Sequence, residues 1–133
     1  SVASANSNTQ LSMGFLDSIF GPKTAEASHI LLKGPNASTQ CQKLKIDIYK
    51  RAMKKGAVEG GVEPAALMDA FAQSAKSKST CPSKSNGGSL GGFGRGEMVP
   101  EFDAVAFGEA VGVIHGPVET QFGSHLILVT NRE

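Results

Sequence analysis

Between Asn86 and Phe102 the chain reads NGGSLGGFGRGEMVPEF, with six glycines in the ten residues from Gly87 to Gly96. Glycine at that density ordinarily marks a linker, because each one surrenders more backbone freedom on ordering than any other residue. Yet Leu90, Phe93, Met98 and Phe102 recur through the stretch as though something closes around them. Any fold for this chain must therefore include a tightly turned wall that carries large apolar side chains.

The rest of the chain sets the scale of that fold. At 133 residues, 40% of them hydrophobic and none of them Trp, it is long enough for one domain with a single modest core. The formal charge of +1 gives no electrostatic case for nucleic acid. The charges are uneven, however. Lys43, Lys45, Lys50, Arg51, Lys54 and Lys55 stand against Asp47 alone, whereas residues 87–133 hold two basic and six acidic residues. The basic run reads either as a solvated helix face or as a dock for an acidic partner. Cys41 and Cys81 lie forty residues apart with no CxxC pair, which fits free thiols in a reducing setting. No apolar run approaches the ~20 residues of a membrane span. A soluble intracellular protein is expected, cytoplasmic in the first instance, with an organelle after removal of a targeting segment as the alternative. A monomer is expected too.

Ser1–Gln10 is small and polar, and it reads as a flexible tail. In LSMGFLDSIFG the spacing gives a short apolar helical face ended by Gly21-Pro22, an anchor or a fraying tail. Residues 1–25 are thus expected to form a flexible extension and 26–133 the domain. SHILLK reads as a strand, ended by Gly34-Pro35-Asn36. Ser38 is placed to cap a helix running to about Lys55, with Cys41, Leu44, Ile48 and Ala52 on one face. Pro64 suits the first turn of a second helix bearing Leu67, Phe71 and Ala75. Asn86-Gly87 is a turn signal. A short helix is expected from Pro100 to Phe107. A strand follows over Val111–Glu119, with Pro117 demoting it to an edge or a bulge. HLILVTN is the best strand in the chain. That order gives an α+β domain, with helices covering a small sheet whose last two strands pair antiparallel across TQFG.

Most enzyme chemistries lack their groups. Gly92-Phe93-Gly94-Arg95-Gly96 is neither GxGxxG nor a Walker loop. His29, His115, His125, Cys41 and Cys81 are too scattered for a zinc site, so no metal and no cofactor are expected. Cys81, in a loop beside Pro82, invites a Cys-His nucleophile, but no acid or oxyanion signature accompanies it. His29 and His125 occupy matching places, each after a serine at the start of a strand. If those strands are neighbours the two imidazoles face each other across the sheet; otherwise each is a satisfied core residue.

Three separated segments, SHILLK, STCPSKSNGGSLGGFGRGEMVPEFDAVAF and GPVETQFGSHLILV, together resemble the parvulin family of peptidyl-prolyl cis/trans isomerases, over about Ala27 to Arg132. The resemblance implies a four-stranded antiparallel sheet surrounded by about four helices. It makes the glycine segment a strand and turns that bend one wall of a site. Leu90, Met98 and Phe102 then match a pocket for a proline ring, where the residues alone read as ordinary core. His29 and His125 match the family's paired histidines, Thr120 the hydroxyl beside them, and Cys81 a position filled by Cys or Asp. Phe122 falls on the rim. The implied activity is isomerisation of X-Pro bonds in flexible or unfolded segments, with a non-catalytic proline-binding module or chaperone as the alternative. Phosphate-directed parvulins carry a basic cluster after the first strand and an N-terminal WW module. Here LLKGPNASTQCQK supplies Lys33 and no arginine, and without Trp there is no WW module, so no phosphate requirement is expected.

Overall fold

A computed structural model describes residues 21–133. The chain runs β1 (Thr24–Leu32), α1 (Ala37–Lys55), β2 (Ala57–Val58), β3 (Gly61–Val62), α2 (Pro64–Lys78), a 3₁₀ turn (Pro82–Asn86), β4 (Ser89–Gly94), α3 (Pro100–Gly108), β5 (Ile114–Thr120) and β6 (Gly123–Arg132). Three α-helices and the 3₁₀ turn stand where about four helices were expected. The four long strands form one antiparallel sheet in the order β4-β1-β6-β5. The helical face expected over Leu11–Phe20 lies outside the described residues.

Strand periodicity divides the core in two. Ile30 and Leu32 of β1, with Leu126 and Leu128 of β6, face one side, where they meet Cys41, Leu44 and Ile48 of α1 and Leu67 and Phe71 of α2. Ala25 and Ala27, with Ile127 and Val129, face the other side, under Phe102, Ala106 and Phe107 of α3 and Phe93 of β4. Each cluster uses both central strands, so the sheet is held from both faces. Hydrophobic burial of this kind contributes about 25 cal/mol per Å² of apolar surface removed from water.

Local chemistry explains most boundaries. β1 starts at Thr24, two residues before the expected edge of the domain, because Thr24 and Glu133 exchange backbone hydrogen bonds of 3.0 and 2.9 Å. Ser38 does not cap α1. The Gly34–Ala37 turn, closed by the Ala37 N–H donating to Gly34 O, starts the helix two residues early, and Asn36 at the cap makes no side-chain bond. Pro64 opens α2 behind Glu63, whose carboxylate accepts from the Ala65 N–H. The Ala57–Val62 hairpin was not expected; its two-residue strands are too short to show alternation. β5 is an edge strand with an irregular register between His115 and Val118, which accommodates Pro117.

Candidate functional site

One end of the α3 face of the sheet is left open. A cavity of about 450 Å³ lies there between β1, the loop before the 3₁₀ turn, β4, the start of α3 and the β5–β6 hairpin. His29, His125, Cys81, Leu90, Met98, Phe102 and Phe122 all line it. These residues span 97 positions of sequence, and folding brings them together. A volume of this order lies within the 300–1,000 Å³ range of small-ligand sites.

The floor is set by register. β1 and β6 are antiparallel neighbours in which His29 lies opposite Ile127 and Leu31 opposite His125. The two histidines are therefore diagonal neighbours on one face. Their Nδ1 atoms are 3.0 Å apart and their rings stack at 21° with centroids 5.2 Å apart. His125 Nε2 lies 2.7 Å from Thr120 Oγ1, which also accepts the Phe122 N–H at 3.1 Å. Thr120 sits behind His125 and does not itself line the cavity. In either direction of proton donation along Thr120–His125–His29, each contact has one donor and one acceptor. His29 Nε2 is then left buried without a partner among the described residues.

Burial fixes the charge state of this floor. It pulls the His29 pKa from 6.5 to about 4, with repulsion from His125 adding to the effect. Burial also lowers His125, while the Glu119 carboxylate works in the opposite direction. Desolvation disfavours a charged imidazole, so both rings are neutral at pH 7.

The walls come from elsewhere. The Ser79 hydroxyl accepts from the N–H groups of Leu31 and Cys81 at 3.1 and 3.3 Å, while the Thr80 N–H donates to Leu31 O at 2.8 Å. These bonds fasten the Cys81 loop to β1. The glycine segment then turns back along the same strand. The His29 N–H donates to Gly88 O at 2.9 Å, and a Cβ on Gly88 would fall 2.5 Å from His29 O at φ +83°, so only glycine fits. Pro100 at the start of α3, with Glu101 and Asp103 in its first turn, suits a helix N-terminus and directs Phe102 at the histidines. The Phe102 ring meets both imidazoles edge-on, at 5.6 and 5.9 Å. Leu90 and Met98 are half-buried at the sides, and Phe122 is 50% exposed at the rim.

Phe93, which the resemblance left outside the proline pocket, belongs to the core: it is 4% exposed and packs edge-on against Phe102 and Phe107, each at 6.0 Å. Leu31 and Val99 line the cavity and were missed. Leu31 shares the parity of His29 on β1, and Val99 adjoins Met98, so both carried a signal.

The sequence and the fold of this chain are both similar to those of known proteins. Residues 29–131 match the rotamase family, described as the PPIC-type PPIase domain. The foldase protein PrsA of Exiguobacterium sibiricum is 40% identical over 110 residues, 81% of this chain and 30% of that protein. Among solved structures, the peptidylprolyl isomerase PrsA from Bacillus anthracis matches with a TM-score of 0.62 and 30% identity, over 84% of this chain and 43% of its own. NmPin, the parvulin of Nitrosopumilus maritimus, matches with a TM-score of 0.56 and 26% identity, over 82% of this chain and 97% of its own. The chain spans 20–32% of the length of the curated foldases it matches. Because the matched stretch carries both histidines and every wall of the cavity, the chain belongs to the PPIC-type peptidyl-prolyl isomerase family, the parvulins.

Proposed function

We propose that this domain accelerates cis/trans rotation about X-Pro bonds in flexible or unfolded protein segments, with no phosphate needed before the proline. The observation that carries this reading is an open apolar cup, formed by Leu90, Met98 and Phe102, directly over two neutral hydrogen-bonded imidazoles. The uncatalysed barrier of about 18–20 kcal/mol comes from C–N resonance. No bond is made or broken, so the enzyme need only bind the twisted amide more tightly than the planar one. The cup grips the pyrrolidine ring and fixes one side of the rotating bond. The buried floor is a poor environment for the planar amide, whose carbonyl is the more polar state. Thr120, His125 and His29 hold that floor in one arrangement, and Cys81 sets the polarity near the carbonyl without attacking it.

Lys33 is the sole cation lining the cavity among the described residues. A phosphate dianion is ordinarily met by several charge-assisted donors, often a bidentate arginine. One lysine supports the phosphate-independent reading. The domain acts as a monomer on this view. Cys41 and Cys81, both free thiols, support a reducing intracellular setting.

The test is NMR exchange spectroscopy on peptides X-Pro with X as Ala, Leu, Glu and phosphoserine. Catalysed exchange on the neutral peptides is expected, with the largest backbone shifts at Leu90, Met98, Phe102 and Thr120. Peptide-induced shifts without faster exchange would reassign the domain to capture of proline segments. A phosphoserine peptide far outperforming the neutral ones would overturn phosphate independence.

A further inference from the structure

We propose that the outward face of α1 docks an acidic amphipathic helix of a partner protein, on the side of the sheet away from the cup. α1 commits Cys41, Leu44, Ile48 and Ala52 to the core. At 3.6 residues per turn, the opposite face carries Lys43, Ile46, Lys50, Met53 and Lys54. Ile46 and Met53 are 57% and 52% exposed. Seven residues apart, they form two aliphatic bosses about 10 Å apart along one side of the helix.

The neighbouring cations are already engaged. Arg51 pairs with Asp47 and also donates to the Ser74 hydroxyl, Lys55 pairs with Asp69, and Lys45 donates to Gly116 O. Among the described residues, Lys43, Lys50 and Lys54 are in no ion pair. The uncommitted positive charge thus surrounds the two exposed aliphatic side chains, and the committed charge lies to the sides.

Such a face is complementary to a rod that offers carboxylates around aliphatic residues one heptad apart. A helix seated by i, i+3 and i+7 anchors has that form. A lipid surface fits less well. A helix lying in a bilayer interface immerses a continuous apolar face by about 5–10 Å. The continuous apolar face of α1 is already buried in this domain, and Lys50 stands between Ile46 and Met53 on the outer one. No α1 residue lines the cup, so a partner here tethers the domain and leaves the cup open. This inference does not depend on the isomerase reading.

The test titrates the full chain with a synthetic helical peptide of about 14 residues. The peptide carries Leu at i, i+3 and i+7 with flanking Glu, and is compared with a twin bearing Lys for Glu. Phosphatidylserine vesicles form a third arm. Expected are amide shifts confined to 43–54, affinity that falls with salt, and no binding by the twin. Lys43→Glu/Lys50→Glu/Lys54→Glu and Ile46→Ser/Met53→Ser should each weaken binding at least about tenfold, with peptide isomerisation unchanged. All five side chains are exposed, so these variants fold. Equal binding of the twin, shifts elsewhere, no binding at millimolar peptide, or vesicle binding in place of peptide binding would overturn the proposal.

Discussion

Mild acid should destabilise this domain, and His29 is the reason. In the folded chain, burial and the adjacent His125 hold its pKa at about 4, against 6.5 for a free imidazole. The unfolded chain therefore takes up a proton on His29 below pH 6.5 that the folded chain refuses until about pH 4. Lowering the pH through that window favours the unfolded state. For this one group, linkage gives a loss of about 2 kcal/mol between pH 7 and 5, rising to about 3 kcal/mol by pH 4. The ring is 6% exposed, so solvent screening does little to reduce this. Burial of His125 acts in the same direction, partly offset by Glu119. Against a typical domain stability of about 5–15 kcal/mol, such a loss is large.

Urea unfolding at about pH 7, 6 and 5 measures it directly, with His29→Gln as the control that removes the titrating ring. The wild type should lose close to 1 kcal/mol per pH unit between pH 6 and 5, and the variant should show a slope shallower by about that amount. Glutamine lowers stability at pH 7 as well, so the slope is the readout, not the intercept. Equal slopes, or imidazole ¹⁵N shifts showing a protonated His29 in folded protein at pH 6, would refute the reasoning. A neutral His29 also means that kcat/KM should show no His29 titration between pH 8 and about 6.

Met98→Ala should cost only about 1 kcal/mol of stability, since the side chain is only partly buried, but lower kcat/KM about tenfold in a coupled protease assay. Phe102→Ala, at 3% exposure, should lose about 3–5 kcal/mol and show it in thermal melts. Cys81→Asp should keep much of the activity while alkylation of Cys81 blocks it; a trapped acyl-enzyme in the wild type would point instead to nucleophilic catalysis. Gly88→Ala should cost several kcal/mol and alter the His29 and His125 ring signals, because its Cβ would press on His29 O.

Some of this molecule could be read from short windows of sequence, and some could not. HLILVTN was legible as a strand, and His29 and His125 stood out because each follows a serine at the start of a strand; that they meet depended on β1 and β6 being neighbours, which the register shows. The buried faces of α1 and α2 were legible from the helical period. Ser38 was misread as a cap because the Gly34–Ala37 turn, an event in backbone geometry, starts the helix ahead of it, with Asn36 at the cap. From the residues alone Phe93 could not be told from Leu90, because β4 breaks register with β1 between Glu26 and Ser28 and parity there does not separate core from cup; only the resemblance singled out Leu90. Periodicity records which way a side chain points within its own element. It does not record which elements meet. The cup is a meeting of five segments, with β4 fixed to β1 by the contact of Gly88 with His29, the Cys81 loop by Ser79, and β1 to the β5–β6 hairpin by the register with His125. That information resides in small residues whose own chemistry is silent, Gly88 and Ser79 among them, and it became legible only when three separated motifs were taken in their order along the chain.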